Sequence, residues 1–285
     1  MLDGFPKADW GISCVSGRLQ PHDPGRGETT HHTIGGISFQ ERFGSIRECA
    51  GSHARTACRA APVSPGVTVT VVIPALNAAP TLPATIATVS WAAEIIVVDG
   101  GSGDGTQAVA AGRGARVIPA PRGRGPQLAA GAAAASHDWL LLLHADTRLA
   151  AEAAAAVHAH IARHPSQAGY FRFVLDSADP RARRLERLVA WRCRILALPY
   201  GDQGLLIHRP LLNQAGGIRP LPLMEDVDLI RRLGRRRLVP LDAAAVTSAA
   251  KWHRDGWHRR SARNLLCLAL WFAGVPPHRI ATLYR

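Results

Sequence analysis

From residue 67 to residue 163 the chain alternates short apolar runs with mixed-polarity stretches. Residues 68–73, 94–98 and 139–143 are apolar at almost every position, which reads as strands buried on both faces in a parallel sheet. Between them lie stretches predicted as helices: 80–90, with Thr81 as N-cap, 106–113, and a small-residue helix opening at Gly125–Gly131 and ending near His137. A short strand is expected at 115–118 and a helix near 150–163. Strands alternating with helices predict an α/β fold, a doubly wound and mostly parallel sheet with helices on both faces. The second half is less regular. It predicts a strand at 169–174, a basic helix over 180–197, a strand at 204–208, a helix from Leu223 to Leu233, and an amphipathic segment from His258 to Phe272.

Each of the three apolar runs ends in a polar residue and a tight turn: Asn77 after the first, Asp99 after the second, Asp146 after the third. Ligands of open α/β sheets bind at that edge. The turn Asp99–Thr106 is not a dinucleotide fingerprint, because Gly101, Gly103 and Gly105 are spaced by two and Thr106 stands where the last glycine belongs. Asp99 there either accepts hydrogen bonds from a base or ribose or belongs to an ordinary turn with Asp104 capping the next helix. Asp146, in His144-Ala145-Asp146, suits a divalent cation, since Mg²⁺ and Mn²⁺ take oxygen ligands and share them with a diphosphate; helix capping is the other reading. In Glu225-Asp226-Val227-Asp228, Asp226 suits proton removal from a hydroxyl, and Asp228 suits the positive end of a helix. Arg122 and Arg124 flank a glycine in a loop fit for diphosphate contact or for plain solvation. Lys251-Trp252-His253-Arg254 fits a cover over a leaving group, a membrane surface or a solvated face.

Residues 1–66 lack any sustained period and are rich in Gly, Ser, Thr, His and Pro, which predicts a disordered extension or translation from an upstream start. The expected domain spans 67–255, followed by an amphipathic helical tail over 256–285. The 285 residues carry a net charge of +13, nearly all from Arg, with Lys7 and Lys251 the only lysines. That balance fits an anionic small substrate, a membrane surface or nucleic acid. The five cysteines form no C-x-x-C pair, and their odd number argues against a disulfide framework. A reducing, cytoplasmic setting is expected, with no signal peptide and no run long enough to span a bilayer. The tail is a candidate for peripheral contact with the inner face of the plasma membrane.

Taken in order, Pro74 to Asn77, Asp99 through Thr106, His144-Ala145-Asp146 and Glu225-Asp226 resemble the motifs of glycosyltransferase family 2, of GT-A fold. Leu-His-Ala-Asp-Thr, Tyr-Gly-Asp-Gln-Gly and Pro-Leu-Met-Glu-Asp-Val-Asp-Leu are similar to a small bacterial subgroup labelled as arsenosugar-biosynthesis glycosyltransferases. The chain departs from the family pattern at Ala78, where Glu is usual, at His144, where the first acid of D-x-D stands, and at Ala129-Ala130. The resemblance implies a metal-dependent inverting transfer from a nucleotide-sugar donor to a hydroxyl acceptor, lipid or small molecule, with no nucleic acid expected. Donor contacts fall on Pro74, Ala75, Asn77, Asp99, Arg122, Arg124 and Ala145, and Mg²⁺ or Mn²⁺ on Asp146. Asp226, with Glu225 beside it, takes the role of base, and Asp202 and Gln203 line the acceptor side. Two rival readings fit the same residues. A nucleotidyltransferase shares such a sheet, although Leu76-Asn77-Ala78-Ala79 stands where its Gly-rich basic loop belongs. The other is a catalytically silent basic protein of membrane surfaces or nucleic acid.

Overall fold

The computed structural model describes residues 68–284; the extension expected over 1–66 lies outside them, as do Cys14, Cys49 and Cys58. Eight strands form one sheet: β1 (Val69–Ala75), β2 (Glu94–Asp99), β3 (Arg116–Pro119), β4 (Trp139–Leu142), β5 (Thr147–Leu149), β6 (Ala168–Leu175), β7 (Leu205–His208) and β8 (Leu238–Thr247). Their order is β3-β2-β1-β4-β7-β6-β8-β5. The half built from β3, β2, β1 and β4 is wholly parallel. Beyond β4 the sheet is mixed: β7 is antiparallel to both its neighbours, β6 and β8 run parallel, and β5 closes the edge antiparallel. Chain order turns back at β1, whose two neighbours are β2 and β4, so the crevice at its carboxyl end is the natural ligand position.

Among the described residues ten helices accompany the sheet: α1 (Leu82–Thr88), α2 (Thr106–Ala111), α3 (Arg124–Ala134), α4 (Ala153–Arg163), α5 (Pro180–Leu196), α6 (Arg209–Gln214), α7 (Glu225–Leu233), α8 (Ala250–Asp255), α9 (Trp257–Phe272) and α10 (Pro277–Tyr284). Alternate side chains of β1 divide between two cores, as the period of a strand requires. Val69, Val71 and Ile73 pack with α1 and α4, while Val72 packs with α3, α6 and α7. A third cluster joins β6 to α5, α8 and the start of α9 through Phe173, Val189, Trp252 and Trp257. The small residues of α3 let it lie close on the sheet; a Cβ at Gly131 would come within 2.8 Å of Val98 Cγ2. The basic α5 starts where Pro180 and the Asp179 cap, which accepts from the Arg181 amide at 2.8 Å, dictate.

Some expectations need correction. The helix expected over 80–90 spans only Leu82–Thr88; Thr81 stands at its N-cap position as expected, but its hydroxyl makes no capping hydrogen bond and donates back to the Ala78 carbonyl, while Pro83 helps set the start. The helix expected from 150 begins at Ala153, behind the strand β5. β8 had no readable pattern because Pro240, Asp242 and three alanines dilute it; pairing with β6 along its length makes it a strand. The short helices α6 and α8 carry too few turns to show a period.

Candidate active site

The carboxyl edge of the parallel half holds two adjoining constructions. The first ties the turns after β1 and β2 together. Asn77 adopts a left-handed backbone, φ +50°; its amide donates to Ser102 Oγ at 2.9 Å and its Oδ1 accepts from the Gly103 amide at 3.0 Å. The Ala78 and Ala79 amides donate to Thr106 Oγ1 and Asp104 Oδ2. Asp99 is buried and accepts from the Gly101 and Ser102 amides, from Ser102 Oγ and from Gln107 Nε2. Burial pushes its carboxyl up, but the hydrogen bonds from Ser102 and Gln107 outweigh it and hold the group below its usual value. Beneath the turns, Gln127 of α3 donates from one Nε2 to the Ala75 and Val98 carbonyls, both at 2.7 Å, and so clamps the ends of β1 and β2.

The second construction is a cavity of about 800 Å³, counted with its open mouth, lined by His144, Asp146, Asp202, Glu225, Asp226 and Arg124 among others. Arg124, at the start of α3, is its electrostatic centre. Its Nε lies 3.0 Å from Glu225 Oε1, its Nη2 lies 3.8 Å from Asp226 Oδ2, and the same Nη2 touches His144 Nε2. Burial works against the guanidinium charge, yet Glu225 and Asp226 hold its pKa above the ordinary value. Glu225 is buried at the N-terminus of α7; burial raises its carboxyl and Arg124 opposes the rise. Asp226 is fixed from two sides, Oδ2 accepting from the Gly201 amide and Oδ1 from the Val227 amide, each at 2.8 Å. Gly201 is required here by space: a Cβ would stand 2.7 Å from His144 Nε2 and 3.2 Å from Asp226 Oδ2.

His144, which departs from the family pattern where the first acid of D-x-D stands, is an uncharged imidazole; burial and the Arg124 charge press its pKa down to about 3. Asp146 accepts from Lys251 Nζ at 2.8 Å through Oδ2. Burial raises the Asp146 carboxyl, and the charge and hydrogen bond of Lys251 more than reverse that. Asp202, in the 3-10 turn Gly201–Gln203, has a buried Oδ1 with no partner, and burial pushes its pKa up to about 6. Among the described residues no three carboxylate, imidazole or thiolate groups converge as a complete metal cage. Asp146 does fit the pattern by which Mg²⁺ is bound through one or two carboxylates together with phosphate oxygens.

The remaining expected residues divide by position. Pro74 and Ala75 end β1 and are buried, Arg122 is exposed on the loop before α3, and the Ala145 carbonyl accepts from Thr85 Oγ1 at 3.0 Å. Asp99 and Asn77 belong to the turn construction and do not line the cavity. Gln203 faces inward, donating to the Phe171 carbonyl and accepting from the Tyr200 amide and the Cys193 thiol. Asp228 is held by Arg219 and Arg232. The sequence reading missed the far wall, where α9 and α10 contribute Arg260, Asn264 and Tyr284. No sequence cue marked it: what sets Arg260 and Asn264 apart is that Arg260 is buried and that Arg260 Nε and Asn264 Oδ1 are buried without hydrogen-bond partners. Cys193 and Cys267 are buried free thiols.

Comparison with known proteins adds three findings. The family model described as Glycosyl transferase family 2 matches residues 70–219. Uncharacterized glycosyltransferases of Mycobacterium tuberculosis and Mycobacterium bovis are 42% identical over 82 residues, 28% of this chain and 38% of theirs, so the chain spans well under half the length of these relatives. Among solved structures, TarS 1–349 of S. aureus aligns at a TM-score of 0.53 and 16% identity, over 76% of this chain and 70% of that one. Glucosyl-3-phosphoglycerate synthase of M. tuberculosis, in complex with Mn²⁺, uridine diphosphate and glucosyl-3-phosphoglycerate, aligns at 0.44 and 23% identity over 64% of this chain and 71% of that one. The likeness to TarS is one of fold, the GT-A arrangement of a mixed sheet between helical layers.

Proposed function

The chain belongs to glycosyl transferase family 2, and from that premise we propose that it moves a sugar from a nucleotide-diphosphate donor to a hydroxyl acceptor by single displacement with inversion. The observation that carries the reading is the meeting of Asp146 and Asp226 on one cavity, with Arg124 beside the second of them. The donor lies along the carboxyl edge, its base near Pro74, Ala75, Asn77 and Asp99 and its diphosphate toward Arg122, Arg124 and Ala145. Asp99 acts there by shaping the turn, since both its oxygens are already engaged by protein donors.

Asp226 removes the acceptor proton as the acceptor oxygen bonds to the anomeric carbon. The bond from that carbon to the diphosphate breaks, and its electron pair leaves with the nucleoside diphosphate. The Gly201 and Val227 amides keep the Asp226 carboxylate aimed. Arg124 holds Glu225 and Asp226 in register and supplies positive charge facing the leaving group. Asp146 would hold Mg²⁺ or Mn²⁺, whose charge would offset that developing on the diphosphate. Lys251, paired with Asp146, would be free to meet the anionic diphosphate were Asp146 to hold a cation. Asp202 lines the acceptor side, while Gln203 acts behind it by holding the Tyr200–Gln203 turn.

Asp226→Asn keeps the shape of the site and removes its base. It is expected to lower transfer or donor hydrolysis by about 10²- to 10⁴-fold while metal-dependent binding of uridine or guanosine diphosphate persists. Full turnover by that variant, measured as nucleoside diphosphate release, refutes the assignment.

A further inference from the structure

Large apolar side chains left in water are concentrated on three helices. On α5 they are Leu188, Trp191, Ile195 and Leu196; α9 adds Leu265, Leu266 and Phe272, and α10 adds Leu283. No other large apolar side chain among the described residues is comparably exposed. Leu188, Trp191 and Ile195 follow the i, i+3, i+7 spacing of one helix stripe. On α9 the exposed Leu265, Leu266, Ala269 and Phe272 likewise share a face, opposite the Arg260 and Cys267 that line the cavity.

The two helices meet at their starts and share α7 as a neighbour at their far ends. The Arg181 guanidinium lies 5.6 Å from the Trp257 ring centroid, tying the starts of α5 and α9. At the other end Arg231 of α7 lies 4.9 Å from the Phe272 ring, and Arg235, just past α7, donates to the Arg194 and Ile195 carbonyls at 2.8 and 3.1 Å. The stripes therefore lie on helices tethered to each other and to α7. Both helices are basic: α5 carries six arginines against one glutamate, and α9 three arginines and no acid. Arg184, Arg187, Arg194 and Arg259 are exposed beside the apolar residues.

We propose that this face docks on an anionic lipid bilayer, with the leucines, Trp191 and Phe272 entering the boundary between headgroups and acyl chains and the arginines pairing with lipid phosphates. Arginine-flanked apolar stripes are what an interfacial helix needs, because the guanidinium reaches the phosphate while its stem stays among apolar groups. A second copy of this chain is a poorer occupant, since apposing two such faces sets arginine against arginine. No helix among the described residues is long and apolar enough to cross a membrane, so the docking is peripheral and reversible. The inference uses only the outer faces of α5, α9 and α10 and stands independently of the donor or acceptor.

The test is flotation of the full chain with phosphatidylcholine vesicles, with and without phosphatidylglycerol, alongside Trp191→Ser and the double variant Leu265→Ser, Leu266→Ser. The wild type is expected to float with the anionic vesicles alone and to be released by high salt. Each variant should melt like the wild type, because the side chains are exposed, and bind about tenfold or more weakly for the lost apolar burial. Absence of flotation overturns the proposal. So does equal flotation of wild type and variants, which means generic charge attraction only. A dimer in sedimentation velocity that the same substitutions dissociate, without vesicle binding, assigns the face to a second copy instead.

Discussion

Arg124 touches Glu225, Asp226 and His144 at once, so the chemistry of the cavity turns on where that one guanidinium stands. Gly201 leaves it room: a Cβ there would come 2.5 Å from Arg124 Nη2, the movable end of a flexible side chain. Gly201→Ala is therefore expected to displace Arg124 without unfolding the chain. Turnover should fall by about 10²-fold, as misplacement of about 1 Å does, with little change in melting temperature; activity assays and thermal melts check the pair. His144 makes a second prediction. Its pKa in the folded chain is about 3, against an ordinary 6.5, so below pH 6.5 the unfolded chain takes up a proton that the folded chain refuses. The stability that depends on a neutral His144 is complete above about pH 6.5 and is lost as pH falls toward 3. Urea midpoints at pH 7 and pH 5 should differ less in His144→Gln than in the wild type; an equal difference contradicts this. Asp146 and Asp226 were legible because an acid just past a buried strand, or in an acidic pair inside a basic half, stands out along the sequence. Gln127, Arg260 and Asn264 were not, because what distinguishes them is burial beside backbone carbonyls or an open cavity, which only tertiary structure creates.

At the scale of elements, the parallel half of the sheet was readable because strands buried on both faces are continuous apolar runs. The mixed half was not. β5 has three residues, and β8 is made a strand by β6 and β5 rather than by its own residues. The C-terminal helices are the sharpest case: periodicity marked an amphipathic segment but not which side it would cover. In the structure Trp257, Leu268 and Ile280 are buried and Arg260, Asn264 and Tyr284 face the cavity. Fully burying an aliphatic side chain is worth about 1.5–3 kcal/mol, a large share of the roughly 5–15 kcal/mol that holds a domain folded. Removing residues 256–285 is therefore expected to lower the melting temperature sharply and abolish turnover. A truncated chain that melts and turns over like the full one would show that the far wall contributes nothing.

For the molecule as a whole, a β/α alternation brings several polar strand ends to one edge, and the sheet continues past β4 to carry the 3-10 turn and α7 up to the same place. The order of the motifs made this edge visible. The Arg124 network and the α9–α10 wall around it needed the three-dimensional structure. The central claim is that Asp146, at this edge, engages a nucleoside diphosphate through a divalent cation. Thermal melting of wild type and Asp146→Asn with uridine or guanosine diphosphate, with and without Mn²⁺, tests it most directly, because a ligand that binds only the folded chain raises its melting point. The account predicts a rise for the wild type that requires both nucleotide and Mn²⁺ and is absent in Asp146→Asn. A rise independent of Mn²⁺, or one of equal size in the variant, contradicts it.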